Sequence, residues 1–371
     1  MPTTGKRRRL VYISHQLGGY DGVSIEAAKW MAALDTLGFT VFPAAGWLHS
    51  SSLGLGCAGL RLPALWRPEA AEGRFGTAPS LTRAEIAAVV EAGGGSGGYA
   101  VLDNIATLPT AADSVVRLIA ALEMAGMRML VRHHDPHWED LATRTADPRY
   151  PINPSGSQHV AISDQLREQL WERSGIEARV LFNTLDMDSL RGGDRIDARR
   201  AAGIAPGDLV LLHPAIPYPR KQVSAAAGFA DAVAARWDGR VVYWLTGGST
   251  DPLEGHGRYA FRTGRRGSPA EMYAAADAVL LTSSWEGWGN PVVEAAALGL
   301  PLVTGAWPAL QEMRKLGVRD IPVAAPDAVT RLLTEVEGGS GHRIGALRSA
   351  LDNSRLAADL GELFRRLDEA E

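Results

Sequence analysis

Two stretches of the chain repeat one pattern: an apolar run, a polar or glycine-rich turn, a segment with apolar residues at helical spacing, then another apolar run. In the first instance 10–14 is apolar, 15–22 is polar and glycine-rich, 23–37 has helical spacing, Gly38 stops it, and 39–43 resumes as a strand. A switch between strand and helix periodicity in that order is the unit from which parallel α/β sheets are built, because the helix carries the chain back across the sheet. The pattern returns with strands at 100–102, 128–132, 159–162 and 178–182 and helices at 111–125 and 164–174. A charged, small-residue stretch at 186–206 intervenes. A second series follows, with strands at 209–213, 241–246, 278–282 and 301–304 and helices at 224–236, 269–276 and 291–298.

Two such series predict two facing Rossmann-like domains, and a length of 371 residues agrees, since one core seldom keeps growing that far. Ligands of these sheets bind at the carboxyl ends of the strands, so a cleft between the domains is the expected place for chemistry. The composition, 46% hydrophobic and 22% charged, is that of a globular protein able to bury a full core. A net charge of -4 with interspersed signs advertises no basic face, so nucleic acid is not an expected partner. Cys57 is the only cysteine, which excludes an intrachain disulfide and fits the cytoplasm. The basic start leads into an apolar run at 10–13 that is too short for a secretion signal, and is read as a tail entering the first strand. No apolar run approaches the roughly 20 residues of a membrane span, and attachment to a membrane surface has no positive support.

Two familiar motifs occur in the wrong context. Gly54-Leu-Gly56-Cys-Ala-Gly59 has dinucleotide-fingerprint spacing, but serines precede it and Pro63 follows where a helix is required. Gly94-Gly95-Ser96-Gly97-Gly98 has nucleophile-elbow spacing, but lies between a helix and a strand, the reverse of the order that exposes the serine; a loop explains it better. The segment 47–80, rich in Gly, Pro and Ser with scattered tryptophans, is too long for an idle connection and its structure is left open.

The most informative segment is Ser283-Ser-Trp-Glu286-Gly-Trp-Gly-Asn-Pro-Val-Val-Glu294. It reads as a strand end, a glycine-hinged loop with one carboxylate, Pro291 in the first turn of a helix, and a second carboxylate within that turn. Amides at the helix start, from Asn290 through Pro291 and Val292 to Val293, form a ready anion site for a diphosphate. Carboxylates repel phosphate, so Glu286 and Glu294 are better aimed at hydroxyls of ribose and sugar. The combination asks for a nucleotide sugar.

Glu286 and Glu294 reproduce the E-x7-E pattern, within E-G-x-G-x-P-x-x-E-A-x-A-x-G-x-P, and the chain resembles retaining GT-B glycosyltransferases similar to family GT4, glycosyl transferases group 1. The resemblance implies the GT-B architecture, with an acceptor domain at 1–188, a donor domain at 189–350, and a helical end near 345–367 whose last part, 351–371, packs back on the first domain. It implies that Glu294 holds the donor ribose and Glu286 contacts the transferred sugar. Gly18-Gly19-Tyr-Asp-Gly22 resembles the family's first glycine loop, which places Gly19 at the donor and Gly22 at the acceptor, although alone it reads as a plain tight turn. Asn183-Thr-Leu-Asp186 resembles the segment opening the interdomain linker. Arg220 and Lys221 lie where the family has a basic pair on the diphosphate; a solvated surface pair is the alternative. The family's arginine normally comes sooner after the strand, and Ala215 stands there. Arg265 is assigned to the donor by the same resemblance.

In Arg132-His133-His134-Asp135-Pro136-His137, His134 matches a family histidine that faces the transferred sugar, and His133 with Trp138 is expected at the acceptor. Such a cluster also fits a metal site, which Pro136 and the family's metal-independent chemistry argue against. Trp47, Trp66 and Trp138 suit either sugar stacking or packing. The expected reaction is retaining transfer of a hexosyl group from a UDP- or GDP-sugar to a hydroxyl of a small-molecule, glycan or lipid-linked acceptor, with no cofactor and no metal. His134, Lys221 and Glu286 are the expected catalytic residues. A nucleotide-sugar epimerase on the same fold and a non-catalytic sugar-nucleotide-binding protein are the rival readings.

Overall fold

The computed structural model describes residues 7–49, 59–66, 80–136, 138, 147–248, 257–342 and 344–369, and the elements below are numbered over these. The chain divides into two compact units, Met1–Thr184 with Asn353–Glu371, and Leu185–Asp352.

In the first unit the strands β1 (Arg8–Leu17), β2 (Phe39–Leu48), β3 (Leu60–Arg61), β4 (Tyr99–Asp103), β5 (Arg128–His133), β6 (Gln158–Ala161) and β7 (Ala178–Val180) form one sheet in the order β3-β2-β1-β4-β5-β6-β7. Every pairing is parallel. Helices α1 (Gly22–Thr36), α2 (Arg83–Gly93), α3 (Ala112–Met124) and α4 (Asp164–Ser174) make the crossovers. Their starts are written locally: Asp21, Thr82 and Ser163 each accept a backbone N–H of the first turn. β1 and β2 run beyond the expected 10–14 and 39–43 because their parallel register continues through Gln16 opposite Trp47 and Leu17 opposite Leu48. Gly94–Gly98 forms the turn between α2 and β4. The fingerprint-like run lies outside the described residues apart from Gly59.

In the second unit helices α5 (Met187–Arg191) and α6 (Arg195–Ala201) lead into a sheet ordered β10-β9-β8-β11-β12-β13. Its strands are β8 (Leu209–His213), β9 (Val241–Leu245), β10 (Ala260–Thr263), β11 (Ala278–Leu281), β12 (Leu302–Thr304) and β13 (Ile321–Pro322). The remaining helices are α7 (Val223–Ala234), α8 (Pro269–Ala275), α9 (Asn290–Ala297), α10 (Leu310–Lys315), α11 (Ala328–Gly338) and α12 (Ile344–Leu351). The strands stay parallel, but the side on which successive strands are added reverses between β8 and β11 here, and between β1 and β4 in the first unit. These are the switch points at which loops diverge and leave room for a ligand.

The C-terminal stretch expected as one helical run at 345–367 is two helices. α12 ends at Leu351, a short 3₁₀ turn occupies Asn353–Arg355, and α13 (Leu356–Glu369) follows in the first unit. Leu356, Leu360, Leu363, Phe364 and Leu367 of α13 are buried in one cluster with Trp30, Leu34, Phe39 and Tyr99. Those five positions follow the i, i+4, i+7 spacing of one helix face, which accounts for the docking.

Candidate functional site

In the second unit β8 and β11 are neighbours, so the loops leaving their carboxyl ends touch. The Ser284 amide donates to the Arg220 carbonyl at 2.8 Å, and the Thr282 hydroxyl donates to the Lys221 carbonyl at 3.1 Å. Arg220 and Lys221 sit in a 3₁₀ turn, Pro219–Lys221, just before α7. Glu286, only 8% exposed, meets both. Lys221 Nζ donates to its Oε1 at 2.5 Å, Arg220 Nη1 to its Oε2 at 3.0 Å, and Ser283 Oγ also donates to Oε1 at 2.5 Å. Burial alone pushes the Glu286 carboxyl up, but Lys221 and then Arg220, with the hydrogen bonds from Lys221 and Ser283, outweigh it and hold the group below its ordinary value. The Arg220 guanidinium also lies 5.2 Å from the centre of the Trp285 ring.

α9 starts one residue before Pro291, so Glu294 falls in its second turn rather than its first. Its carboxylate accepts the Tyr273 hydroxyl at 2.5 Å. Burial and then this carboxylate push the Tyr273 hydroxyl well above its usual value, keeping it a donor. The anion site expected at 290–293 is narrower than the sequence implied: Pro291 has no N–H, and the Val292 amide is bonded to the Gly289 carbonyl at 2.9 Å. The Val292 side chain is fully buried. Gly289 holds φ at +117°, a value L side chains rarely adopt, and lets Trp307 close on the helix start. Arg265 is half-buried after β10, beyond Gly264. Ala215 is buried in the apolar core of the unit, its carbonyl accepting the Gly247 amide at 3.1 Å. Beside it His213 is fully buried, with Nδ1 2.8 Å from the Tyr243 hydroxyl; burial, then Lys221, pushes its pKa down to about 3.

In the first unit the ends of β1, β4 and β5 enclose a polar cluster. Asp103 accepts the Tyr12 hydroxyl at 2.6 Å and pairs with His134 Nε2 at 2.7 Å, and Arg132 lies 3.8 Å away. Burial pushes the Asp103 carboxyl up, yet His134 and Arg132 together with these hydrogen bonds leave it below its ordinary value. Asn104, at φ +63°, accepts the amides of His134 and Asp135 at 3.2 and 3.1 Å and so fixes the turn after β5. Arg132 is itself fully buried, donating to Asn183 at 2.9 Å and lying 3.5 Å from Glu26. The structure therefore brings His134 against Asp103.

It does not bring His133 to a surface. That ring is fully buried, with Nδ1 2.7 Å from Thr107 Oγ1 and Nε2 2.9 Å from His159 Nδ1. His133 closes β5 inside the unit, whereas His134, in the turn that follows, bonds to Asp103. Trp138, expected at the acceptor, donates to Gln169 at 2.9 Å, and the Arg173 guanidinium lies 5.2 Å from its ring centre. Gly19 precedes α1, and the exposed Gly22 opens it. His137 lies outside the described residues, and among those described no group of three or more His, Cys, Asp or Glu side chains is placed to hold a metal ion. Nor is any described helix long and apolar enough to cross a membrane. Sequence reasoning missed Ser283, Tyr273, Asp103 and Tyr12; a polar residue closing an apolar strand, as Asp103 closes β4, was the available signal.

Residues 214–337 match the model of the family glycosyl transferases group 1. The D-inositol 3-phosphate glycosyltransferase of Actinosynnema mirum is 32% identical over 196 residues, 48% of this chain and 43% of that protein. That of Mycobacterium bovis is 27% identical over 233 residues, 56% of this chain and 44% of that protein. The aligned region thus spans less than half the length of these relatives. Among solved structures, Anabaena HepE in complex with UDP and glucose superposes with a TM-score of 0.72 at 16% identity, over 97% of this chain and 100% of that one. Sucrose-phosphate synthase of Thermosynechococcus elongatus superposes with a TM-score of 0.69 at 16% identity, over 98% and 100%. These likenesses establish the GT-B fold.

Proposed function

From the match of residues 214–337 to glycosyl transferases group 1, we propose that the protein transfers a hexosyl group from a UDP- or GDP-sugar to an acceptor hydroxyl with retention, in the manner of family GT4. The observation that carries this is the meeting of Arg220 and Lys221 with Glu286 at the switch point of the second sheet, next to the helix that bears Glu294. As the donor C1–O bond breaks, the diphosphate gains charge, and two cations already held in place stabilise that charge without reorganising. Glu286 keeps them in place and is itself the carboxylate closest to them, so it is suited to receive a sugar hydroxyl once the diphosphate has taken the cations. Glu294, oriented by Tyr273, would hold the ribose. On this reading Arg220 and Lys221 supply the positive charge that a divalent ion would otherwise bring, and no metal is required.

The relatives' names and the ligands of neighbours, UDP with HepE and ADP with starch synthase IV of Arabidopsis thaliana, support a nucleotide-sugar donor. In the first unit His134 would face the transferred sugar, oriented by Asp103. The single cysteine supports a reducing compartment, with the cytoplasm as the proposed location. A thermal-shift screen against UDP, GDP, ADP and dTDP, with and without chelator, tests the proposal, because a ligand bound only by the folded state raises its stability. A shift with UDP or GDP that survives chelation is expected; no shift with any of them would reject it.

A further inference from the structure

Behind the turn that carries His134, the first unit buries acids and bases where apolar packing is the commoner choice. Glu26, Asp103 and Arg132 are fully buried, and Lys29 keeps only 15% of its side-chain surface. Arg132 donates to Asn183 at 2.9 Å, lies 3.5 Å from Glu26 and 3.8 Å from Asp103, and its guanidinium stands 4.2 Å from the centre of the Trp30 ring. Its Nε and Nη1 have no hydrogen-bond partner. Bonds left unmade by a buried cation are costly, and buried ion pairs add little to stability over well-packed apolar residues. Stability therefore does not account for the cluster, and its use lies in what it holds.

What it holds is Asp103. Both oxygens of that carboxylate are engaged: Oδ2 accepts the Tyr12 hydroxyl at 2.6 Å with Arg132 behind it, and Oδ1 meets His134 Nε2 at 2.7 Å. Burial and then Asp103 push the Tyr12 hydroxyl well above its usual value, so it stays a donor. His134 and then Arg132 hold Asp103 below its ordinary value against the effect of burial, so it stays ionised and can only accept. The proton between Asp103 and His134 therefore sits on Nε2. His134 spends its amide on Asn104 and Nε2 on Asp103, and Nδ1 has no hydrogen-bond partner among the described residues. Glu26 beside Lys29 and Asp103 beside Arg132 already balance in charge, and a neutral imidazole in this setting keeps its lone pair on Nδ1.

We infer that Tyr12 and Arg132 are positioning residues: acting through Asp103, they fix the Nε2–H form of His134 and so make Nδ1 an acceptor, which takes a hydroxyl and not a phosphate oxygen. The transfer reading, in which His134 faces the transferred sugar, is needed only to say whose hydroxyl this is; the choice of nitrogen comes from contacts within the first unit. Diphosphate oxygens carry lone pairs and no proton at neutral pH, so a bare Nδ1 repels them, whereas a sugar hydroxyl can donate to it. A ring protonated on Nδ1 would reverse that preference. Tyr12 and Arg132 thus decide, without touching a ligand, which part of a nucleotide sugar the histidine accepts.

Nitrogen-15 NMR of the full chain labelled in its histidines, at about pH 8 and with His134→Gln to identify the ring, tests this. The wild type is expected to show a pyridine-type Nδ1 and a pyrrole-type Nε2 at His134. Asp103→Asn should exchange the two, because Tyr12 keeps the amide oxygen and the NH2 group turns to Nε2. Tyr12→Phe and Arg132→Met should each give a mixture of both forms, and Arg132→Lys should recover the wild-type signature, which a purely structural role would not require. In titrations of UDP-glucose against UDP and GDP-mannose against GDP, Asp103→Asn and Tyr12→Phe should lower the ratio of sugar-nucleotide to diphosphate affinity about three- to tenfold. A proton on wild-type Nδ1, or an unchanged ratio, would overturn the inference. So would a wild-type signature in Tyr12→Phe, which removes a single oxygen and decides the matter should the Arg132 variants fail to fold. Binding of no nucleotide at all would remove the transfer reading, while the spectra alone would still uphold or reject the roles of Tyr12 and Arg132.

Discussion

Glu286→Gln should lower stability and raise diphosphate affinity at once. The substitution keeps the shape of a side chain that is 8% exposed and removes the charge facing Lys221 at 2.5 Å and Arg220 at 3.0 Å. Each pair at about 3 Å has a Coulomb energy of about 5–6 kcal/mol at an effective dielectric near 20, much of it cancelled by desolvation. Losing one partner of a buried pair typically costs about 3–5 kcal/mol. Here the cations keep 24% and 14% of their side-chain surface, so water recovers part of the loss. The expected cost is about 2–3 kcal/mol, or a Tm lower by roughly 5–10 °C for a unit of this size. The same change frees two cations, so UDP or GDP should bind about three- to tenfold more tightly at low salt while sugar transfer falls. Lys221→Met in the same chain should restore part of the stability, because it removes a charge left without its partner. Calorimetry and nucleotide titration read both effects. An unchanged Tm together with weaker diphosphate binding would refute the idea that Glu286 competes for the cations that meet the phosphates.

Glu294→Ala should weaken nucleotide binding at least tenfold by titration calorimetry, and unchanged affinity would reject the ribose assignment. Gly46→Ala places a Cβ 2.2 Å from the Trp66 amide nitrogen and should lower the denaturant midpoint by an amount equal to about 1–3 kcal/mol; no change would show that the Leu65–Trp66 backbone yields freely. The pH dependence follows from His159, whose pKa burial depresses to about 4, below the ordinary value of 6.5. A depressed histidine gives stability that is complete above about pH 6.5 and is lost as pH falls towards 4, because the unfolded chain takes the proton first. The loss approaches about 3 kcal/mol, and His159→Gln should flatten the urea midpoint between pH 7 and 4.5 relative to wild type; equal slopes would refute it.

What was legible in the sequence was local. The spacing of Glu286 and Glu294, the proline at 291 and the alternation of strands with helices all depend on neighbours a few residues away, and each landed on the loop or helix it implied. The partners that fix those side chains come from far along the chain: Arg220 and Lys221 reach Glu286 across 66 and 65 residues, and Tyr273 reaches Glu294 across 21. Only the parallel sheet order makes them neighbours. The histidine run shows the opposite failure, a cluster in sequence that the end of β5 separates, with His133 joined to Thr107 and His159 and His134, in the following turn, joined to Asp103.

Ala215 shows how far the two kinds of information can be combined. The chain lacks a cation where the resemblance expects one, and the reason is visible in packing: Ala215 belongs to the apolar core and its carbonyl accepts the amide of Gly247, packed so closely that a Cβ added at 247 would lie 2.6 Å from that oxygen. A guanidinium at 215 would need that core opened or its charge buried, either of which costs several kcal/mol. Arg220 instead arrives from the 3₁₀ turn that the prolines at 214, 217 and 219 lead into, and its backbone carbonyl is fixed by Ser284 from the other side. A positive charge thus stands at the switch point five residues further along the chain, and on the transfer reading restoring arginine at 215 should destabilise the unit without strengthening nucleotide binding.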